Sequence, residues 1–274
     1  MDNSMYIDLL KKVLIDFHRI EFGEYVPLNQ HKTGLKFTIA RFLDKRLRKK
    51  DYAVCKFNSG TVESRIVGLD WPYYSETMIG LKRLDNIQYC VGEILKNNIP
   101  GDFIETGVWR GGATILMKAL LKVSNINDRT VWVADSFEGL PKPDESKYKE
   151  DKGDLHFNKD QLAISLETVK RNFEKYGLLD EKVKFLKGWF KDTLPTAPIQ
   201  QISLLRLDGD MYESTMDGLV NLYPKLSKGG YIIIDDWGAV KGCQKAVNDY
   251  RKEHGITAEI IPIDWTGVYW IKEN

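Results

Sequence analysis

The pattern of apolar and polar positions changes at about residue 101. From there onward, short apolar runs alternate with segments whose apolar residues recur at helical spacing. The apolar runs predict seven strands: Asp102–Thr106, Thr130–Ala134, Val183–Leu186, Ile202–Leu207, Tyr231–Ile234, Ala258–Ile263 and Val268–Ile271. The helical spacing predicts four helices: Ala113–Lys122, Leu162–Tyr176, Ser214–Leu226 and Cys243–Glu253. This alternation predicts a Rossmann-like α/β fold with a mostly parallel seven-stranded sheet and helices on both faces.

The first 70 residues follow a different pattern. An amphipathic helix is predicted by apolar residues at helical spacing: Tyr6, Leu9, Leu10, Val13, Leu14 and Phe17. The basic stretch Arg41–Lys50 is interpreted as a solvated helix face, with an anionic ligand or a partner subunit as the alternative. A further helix is predicted over Thr77–Lys96, capped by Ser75 or Thr77. We therefore expect an N-terminal helical extension over residues 1–70 and a main domain over residues 71–274.

Charge and cysteine usage narrow the function classes. The 274 residues carry a formal net charge of +1, whereas a dedicated nucleic-acid binder usually has a strong basic excess. The three cysteines, Cys55, Cys90 and Cys243, are far apart and do not have metal-ligand spacing, so a reducing compartment is expected. No apolar run approaches the length of a membrane span, and the N-terminus does not resemble a signal peptide. These features predict a cytoplasmic protein with no nucleic-acid or membrane partner.

The ends of the first three predicted strands carry residues suited to a nucleotide-like ligand. Glu105 precedes a turn that contains Gly107 and Gly111, where the backbone can approach a ligand closely. Asp135, followed by Ser136, suits a ribose diol, as in NAD or adenosine ligands. Trp189 could stack on adenine. A ligand-free turn, a loop cap and a core tryptophan are the respective alternatives.

Paired carboxylates follow the next two strands. The apolar run Leu204–Leu207, interrupted by an arginine, ends in Asp208 and Asp210, and the run Ile232–Ile234 ends in Asp235 and Asp236. Because neighbouring parallel strands end at the same edge of a sheet, these four side chains are expected to lie close together and to need a positive charge between them. A hard divalent cation such as Mg²⁺ meets that need, whereas solvent-facing turn aspartates are the alternative.

The long connection over Ser136–Asp160 is predicted to be a lid that excludes water from the site. It is rich in Pro, Lys, Asp and Glu, and it begins where a strand ends. His156 lies in this connection and is interpreted as a surface residue, with substrate contact as the alternative.

Five segments together resemble one known family over about 200 residues, from Ser75 to Lys272. They are Glu105–Gly112 (ETGVWRGG), Asp135–Pro141 (DSFEGLP), Gly188–Pro195 (GWFKDTLP), Leu207–Thr215 (LDGDMYEST) and Ile234–Trp237 (IDDW). The segment is similar to the macrocin O-methyltransferases, which include sugar methyltransferases of macrolide and aminocoumarin biosynthesis. The resemblance implies an O-methyltransferase that uses S-adenosylmethionine and Mg²⁺ and acts on a hydroxyl of a sugar or glycoside.

The resemblance also implies roles for individual residues. It assigns the methionine end of S-adenosylmethionine to Glu105, Gly107 and Gly111. It assigns the ribose to Asp135 and Ser136, and the adenine to Trp189. It assigns the metal to Asp208, Asp235 and Asp236, and the general base to Asp210. The N-terminal extension is implied to shape the acceptor site and a homodimer interface.

Three other functions compete with this reading. A Rossmann-type NAD-dependent dehydrogenase would share the glycine turn and Asp135, but it would not explain the four carboxylates. A catechol O-methyltransferase would keep the metal and change the acceptor, because adjacent phenolic hydroxyls also chelate Mg²⁺. A non-catalytic cofactor-binding subunit would keep the fold without turnover.

Overall fold

The structure, a computed structural model, describes residues 3–27 and 34–273, except for the side chains of Asn3 and Asp160. The α-helices are α1 Asn3–Leu14, α2 Leu35–Leu47, α3 Val62–Val67, α4 Leu81–Lys96, α5 Gly112–Val123, α6 Leu166–Lys175, α7 Phe190–Thr193, α8 Tyr212–Leu222 and α9 Lys241–Glu253. The strands are β1 Glu24–Pro27, β2 Cys55–Asn58, β3 Asp102–Thr106, β4 Val131–Asp135, β5 Val183–Lys187, β6 Ile202–Leu207, β7 Leu226–Ile234, β8 Ile261–Pro262 and β9 Val268–Ile271.

Seven strands form one sheet in the order β5-β4-β3-β6-β7-β9-β8. Strands β3 to β7 run parallel to one another, and β9 is antiparallel to both of its neighbours. This arrangement confirms the predicted mostly parallel sheet. Strand β7 starts five residues before its predicted start at Tyr231, because Leu226 pairs with Ile202 and the register then shifts before Tyr231 pairs with Leu204. Strand β8 is much shorter than predicted; Pro262 has no backbone N–H to extend the ladder.

Side chains that alternate between the two faces of the sheet divide the core into two layers. Phe103 and Ile233 face a layer built with α1, α4, α5 and α6, whereas Ile104 and Ile232 face a layer built with α8 and α9. Successive side chains of a strand point to opposite faces, so a sheet with both faces covered needs nearly continuous apolar strands. The strands β3, β6 and β7 have this composition, and they therefore lie at the centre of the sheet.

Helix α1 packs directly into the first of these layers. Its buried residues are Ile7, Leu10 and Leu14, whereas Tyr6 and Leu9, which were predicted to lie on the buried side, are exposed. The helix is present as predicted, but its buried face is rotated toward Ile7. That rotation also buries the charged neighbour Lys11, whose ammonium donates to Asp85 at 2.6 Å and to Gln88 at 2.7 Å on α4.

The rest of the extension differs from an all-helical expectation. Strands β1 and β2 pair as an isolated antiparallel ribbon, and helix α2 buries none of its residues.

The helix predicted over Thr77–Lys96 begins only at Leu81, with Gly80 as its N-cap. The hydroxyl of Ser75, a predicted cap, donates instead to the Pro72 carbonyl at 2.9 Å. Within the described ranges, no helix is both long and apolar enough to cross a lipid bilayer.

Candidate active site

The turn after β3 brings three strand ends into contact. Gly107 has a φ of +81°, and a Cβ at this position would lie 1.7 Å from the carbonyl oxygen of Asp208. Its N–H donates to the carbonyl of Ala134 at 2.8 Å, and the Asp208 N–H donates to the carbonyl of Thr106 at 2.9 Å. Only glycine permits this conformation at this separation. The end of β6 therefore lies directly against the predicted cofactor turn.

Asp135, at the end of β4, holds the loops on both sides of it. Its carboxylate accepts from the N–H of Val108 at 2.8 Å and from the N–H of Phe137 at 2.7 Å. Burial raises the pKa of Asp135, and these backbone donors oppose the rise. Each carboxylate oxygen has a second lone pair, so the side chain can still accept from a ligand hydroxyl.

A cleft of about 790 Å³, including its solvent-open mouth, lies along these strand ends. Four of the predicted cofactor residues line it: Gly107, Asp135, Ser136 and Trp189. Glu105 and Gly111 lie outside the lining; Gly111 is the N-cap of α5 and has a φ of +87°. The cleft also has an acidic wall, Glu213 and Asp217 on α8, which the strand-end reasoning missed. The signal for this wall in the sequence is the spacing of its acidic residues: Glu213 follows Asp210 by three residues, and Asp217 follows Glu213 by four.

Three of the four predicted carboxylates converge at one end of the cleft. Asp208, Asp210 and Asp236 each place one oxygen within 4.8 Å of the other two. The Asp210 N–H also donates to Asp236 at 3.1 Å. Burial, followed by neighbouring carboxylates, raises the pKa of Asp236, and burial raises the pKa of Asp210 to about 6. The cluster thus resists full ionisation, and a cation would relieve that resistance.

Beneath the cluster, the guanidinium of Arg206 ties the two predicted sites together. Its Nη1 donates to Glu105 and, at 2.9 Å, to Asp208, and its Nη2 donates to Asp235. Arg206 is 1% exposed and lies within the buried strand β6. A charged residue inside an apolar strand is the sequence signal for this network.

Asp235 lies outside the convergent group. Besides Arg206, its carboxylate accepts from Arg83 of α4, and Arg83 in turn donates through Nε to Asp264 at 2.9 Å. The backbone carbonyl of Asp235 accepts from the Thr266 hydroxyl at 3.0 Å. In this structure two buried arginines neutralise Asp235, and Asp210 lies with Asp208 and Asp236 in the convergent group.

Glu105 lies two residues before Gly107 of the cofactor turn. It is 2% exposed, its Oε1 accepts from Arg206, and its Oε2 has no partner among the described groups. Burial raises its pKa to about 7, and the nearby Arg206 only partly opposes that rise. A buried carboxylate oxygen without a donor is costly, so this atom is suited to a positively charged or N–H-bearing ligand group.

The predicted lid is anchored to the helix that follows Asp210. Asp151 is buried, and its carboxylate accepts from the N–H groups of Tyr212 at 2.6 Å and Glu213 at 3.0 Å, at the start of α8. At the other end of the connection, the indole of Trp109 donates to the Gln161 carbonyl at 2.8 Å. The connection is therefore attached both to the turn after β3 and to the start of α8.

Comparison with known proteins identifies the family of this chain. The macrocin O-methyltransferase family matches residues 3–272. The demethyldecarbamoylnovobiocin O-methyltransferase of Streptomyces niveus is 56% identical over 270 residues, 98% of this chain and 94% of that protein. The mycinamicin III 3''-O-methyltransferase of Micromonospora griseorubida is 53% identical over 270 residues, 97% of this chain and 96% of that protein.

Solved structures show the same architecture. The O-methyltransferase NovP matches with a TM-score of 0.85 and 46% identity, over 100% of both chains. A calicheamicin methyltransferase, 17% identical, matches with a TM-score of 0.56 over 90% of this chain and 98% of its own, and thus shares the fold. The chain therefore belongs to the macrocin O-methyltransferase family and is an O-methyltransferase that uses S-adenosylmethionine.

Proposed function

We propose that this enzyme transfers a methyl group from S-adenosylmethionine to a sugar hydroxyl of a small-molecule glycoside, with the help of Mg²⁺ or another divalent cation. The observation that carries the proposal is the convergence of Asp208, Asp210 and Asp236 at the end of the cleft. The names of the two similar enzymes specify a novobiocin precursor and a mycinamicin as acceptors. A dehydrogenase would have no use for this carboxylate group.

The cleft residues are proposed to hold the donor in an extended arrangement. Asp135 and Ser136 accept from the ribose hydroxyls, and Trp189 packs against the adenine. Gly107 and Gly111 let the backbone approach the methionine end, where the free Oε2 of Glu105 is suited to the amino group. Gly107 supports this assignment most directly, because any larger residue would collide with Asp208.

The metal is proposed to bind at the carboxylates that end β6 and β7. Hard oxygen donors in this number suit Mg²⁺, which keeps several waters or substrate oxygens besides its protein ligands. Asp208 and Asp236 belong both to the convergent group and to the ligand set implied by the resemblance. When bound, the ion supplies Lewis-acid activation of an acceptor hydroxyl. The third protein ligand is either Asp235, as the resemblance implies, or Asp210, as the geometry favours.

Asp210 is proposed to accept the proton of the acceptor hydroxyl. It lines the cleft, and its φ of +57° turns the residue away from the path of the strand before α8 begins. Its pKa of about 6 is close to neutral pH, where a carboxylate base is most effective. The lid above it would exclude water from the reacting groups.

One experiment tests the chemistry. Purified enzyme is incubated with S-adenosylmethionine and demethyldecarbamoylnovobiocin, mycinamicin III or a catechol, in Mg²⁺ and again in chelator. We expect methylated glycoside in Mg²⁺ and none in chelator, and no product from the catechol. Full activity in chelator would contradict the metal, and methylation of the catechol alone would contradict the acceptor class.

A matched set of variants assigns the third ligand. Asp208→Asn and Asp236→Asn are expected to abolish turnover while S-adenosylmethionine still binds. Metal affinity is then measured by calorimetry for Asp210→Asn and Asp235→Asn. If Asp210 is only the base, its variant loses turnover and keeps metal affinity, and the Asp235 variant loses metal affinity. The opposite outcome would make Asp210 the ligand.

A homodimer is proposed for the same enzyme, formed through helix α2. Four of its large apolar residues are about half or more exposed: Leu35, Ile39, Phe42 and Leu43. An apolar stripe of this kind on a helix that buries nothing is typical of a protein interface. Sedimentation of the wild type and of Phe42→Asp should show a dimer that dissociates in the variant. A wild-type monomer would contradict the proposal.

The enzyme is proposed to work in the cytoplasm. Cys55, Cys90 and Cys243 are all free, and Cys90 and Cys243 are buried without a disulfide partner. A protein with buried thiols and no disulfides suits a reducing compartment. Cell fractionation with an antibody against the chain tests this location, and recovery in secreted material would contradict it.

A further inference from the structure

Trp109 has a backbone conformation that bulky residues rarely adopt. It lies in the cofactor turn after β3 with a φ of +47°, in the left-handed region that glycine favours. For a large aromatic residue this conformation costs free energy, and it persists only where surrounding contacts hold the residue in place. Strained residues of this kind are concentrated at ligand clamps and switch regions, so the contacts of the Trp109 side chain indicate what it holds.

Two contacts fix the indole of Trp109. The guanidinium of Arg110 lies over the indole, 4.2 Å from the ring centroid. Arg110 is itself fixed, because it donates to the carbonyls of Tyr73 at 2.5 Å and Ser75 at 2.9 Å. The indole N–H donates to the carbonyl of Gln161 at 2.8 Å. The side chain therefore connects a fixed cation with the chain directly after the lid.

The hydrogen bond to Gln161 positions the residue that follows it. Leu162 lines the cleft, and so does Trp109. The two ends of the lid meet at the same place, since a Cβ at Gly139 would lie 3.4 Å from the Cβ of Ala163. Trp109 thus ties the end of the lid to the cofactor turn and keeps Leu162 in the wall of the cleft.

We propose that Trp109 is a positioning residue that retains S-adenosylmethionine by holding the end of the lid against the cofactor turn. Its indole N–H binds the Gln161 carbonyl, and Leu162 then completes the wall of the cleft. The cofactor leaves only after this hydrogen bond opens, so Trp109 acts mainly on the rate at which the cofactor dissociates. The inference rests on the proposed placement of the methyl donor in this cleft.

Trp265 provides a matched control for this hydrogen bond. Its side chain is half-exposed, and its indole N–H also donates to a backbone carbonyl, that of Val67, at 2.9 Å. It lies outside the lid and outside the cleft lining. Replacing either tryptophan by phenylalanine removes one N–H donor and keeps an aromatic ring, but only Trp109→Phe frees the end of the lid.

The first test needs no cofactor. Hydrogen exchange of the backbone amides over residues 155–163 should be about three- to tenfold faster in Trp109→Phe than in the wild type, as expected for one lost hydrogen bond. Exchange over the same residues should be unchanged in Trp265→Phe. Wild-type exchange in Trp109→Phe, or equal acceleration in both variants, would overturn the inference.

The second test measures retention of the cofactor. The dissociation rate of S-adenosylmethionine, followed by displacement with excess S-adenosylhomocysteine, should rise about three- to tenfold in Trp109→Phe. Its association rate should change by less than about twofold, because the lost contact forms only after the cofactor has entered. Trp265→Phe should keep both wild-type rates. An equal rise in the dissociation rate of both variants would show a general structural effect and overturn the inference.

The variant Asp135→Asn separates this inference from the proposed function. Its amide presents N–H donors where the ribose hydroxyls need an acceptor, so S-adenosylmethionine should bind more weakly. If Asp135→Asn loses affinity and Trp109→Phe keeps the wild-type dissociation rate, the inference alone fails. If Asp135→Asn binds the cofactor as tightly as the wild type does, the proposed placement of the donor is wrong and the inference fails with it.

Discussion

Helices α2 and α4 are similar in length, but they differ in how many of their residues are buried. Helix α4 buries six of its sixteen residues, and one of these is the charged Arg83. Helix α2 has thirteen residues and buries none, although Ile39 and Phe42 are large and apolar. The difference lies in what each helix is packed against. Helix α4 covers the sheet beneath the carboxylates, whereas α2 belongs to an extension whose described residues form a two-stranded ribbon as their sheet.

This contrast shows that burial follows function as well as hydrophobicity. Arg83 is buried because Asp235 and Asp264 lie against it, so a charge was placed where a leucine would pack more easily. Buried ion pairs are costly to assemble and costlier to break. The exposed apolar stripe of α2 shows the reverse, because large apolar residues lie in contact with water.

The largest expected effect on stability comes from comparing an arginine of the main domain, on β6, with an arginine on α2. Arg206→Met should lower the free energy of unfolding by about 3–5 kcal/mol, because Glu105 and Asp235 lose a buried partner. Arg46→Met on α2, where the guanidinium lies 4.7 Å from the Phe42 ring centroid, should change it by about 0.5 kcal/mol or less. Urea unfolding of both variants checks the contrast, and equal losses would break it.

The next effect compares two isoleucines. Ile87→Ala on α4 should cost about 3 kcal/mol, because its side chain is fully buried in the core layer under the sheet. Ile39→Ala on α2 should cost about 0.5 kcal/mol or less in the monomer, since this residue is 54% exposed. Thermal unfolding at low protein concentration measures both. A large loss at Ile39 that grows with protein concentration would instead indicate that α2 is buried between subunits.

A pH series sharpens the comparison of charged groups. The pKa of Glu105 is raised to about 7 in the fold, so between about pH 4.5 and 7 the folded state holds a proton that the unfolded chain has lost. Stability should therefore fall as pH rises through this window, by at most about 1.4 kcal/mol per pH unit from this group. Glu105→Gln should flatten that fall in metal-free protein.

The matched control for this series lies on α2. The Arg48 guanidinium holds the pKa of the Asp44 carboxyl below its ordinary value, so its contribution is lost only as pH falls through the acidic range. Asp44→Asn should therefore leave the slope between pH 5 and 7 unchanged. A flattened slope in the Asp44 variant, or an unaltered slope in the Glu105 variant, would contradict this account.

The smallest expected effect concerns the N-cap of helix α3 in the N-terminal extension. Thr61 caps α3 by accepting from the Ser64 N–H at 3.1 Å, and the Ser64 hydroxyl accepts from the Thr61 N–H at 2.9 Å. Thr61→Ala should lower the free energy of unfolding by about 1 kcal/mol, whereas Thr61→Ser should restore most of it. Denaturant titration of the pair measures this difference, and two equal variants would show that the cap contributes nothing.

Much of the main domain could be predicted from residue patterns alone. Apolar strands alternating with amphipathic helices require βαβ units, and the carboxyl ends of neighbouring strands must then meet at one edge. Thus the sequence was enough to place Asp208 near Asp236 and Gly107 in a tight turn after β3. The isolated ribbon of β1 and β2 could not be predicted, because four-residue strands of mixed polarity carry almost no periodic signal.

The direction in which each side chain points was decided only by the tertiary structure. Asp235 and Asp236 are adjacent in sequence, and alternation along the chain turns Asp235 toward two buried arginines and Asp236 toward Asp208 and Asp210. Arg83, which holds Asp235, is 152 positions away along the chain, so no local pattern could reveal the pair. Likewise, the lid was visible as a long polar connection, but its attachment to α8 through Asp151 depends on contacts 61 positions apart. Local periodicity determines which elements form, whereas pairing between distant charges requires the folded chain.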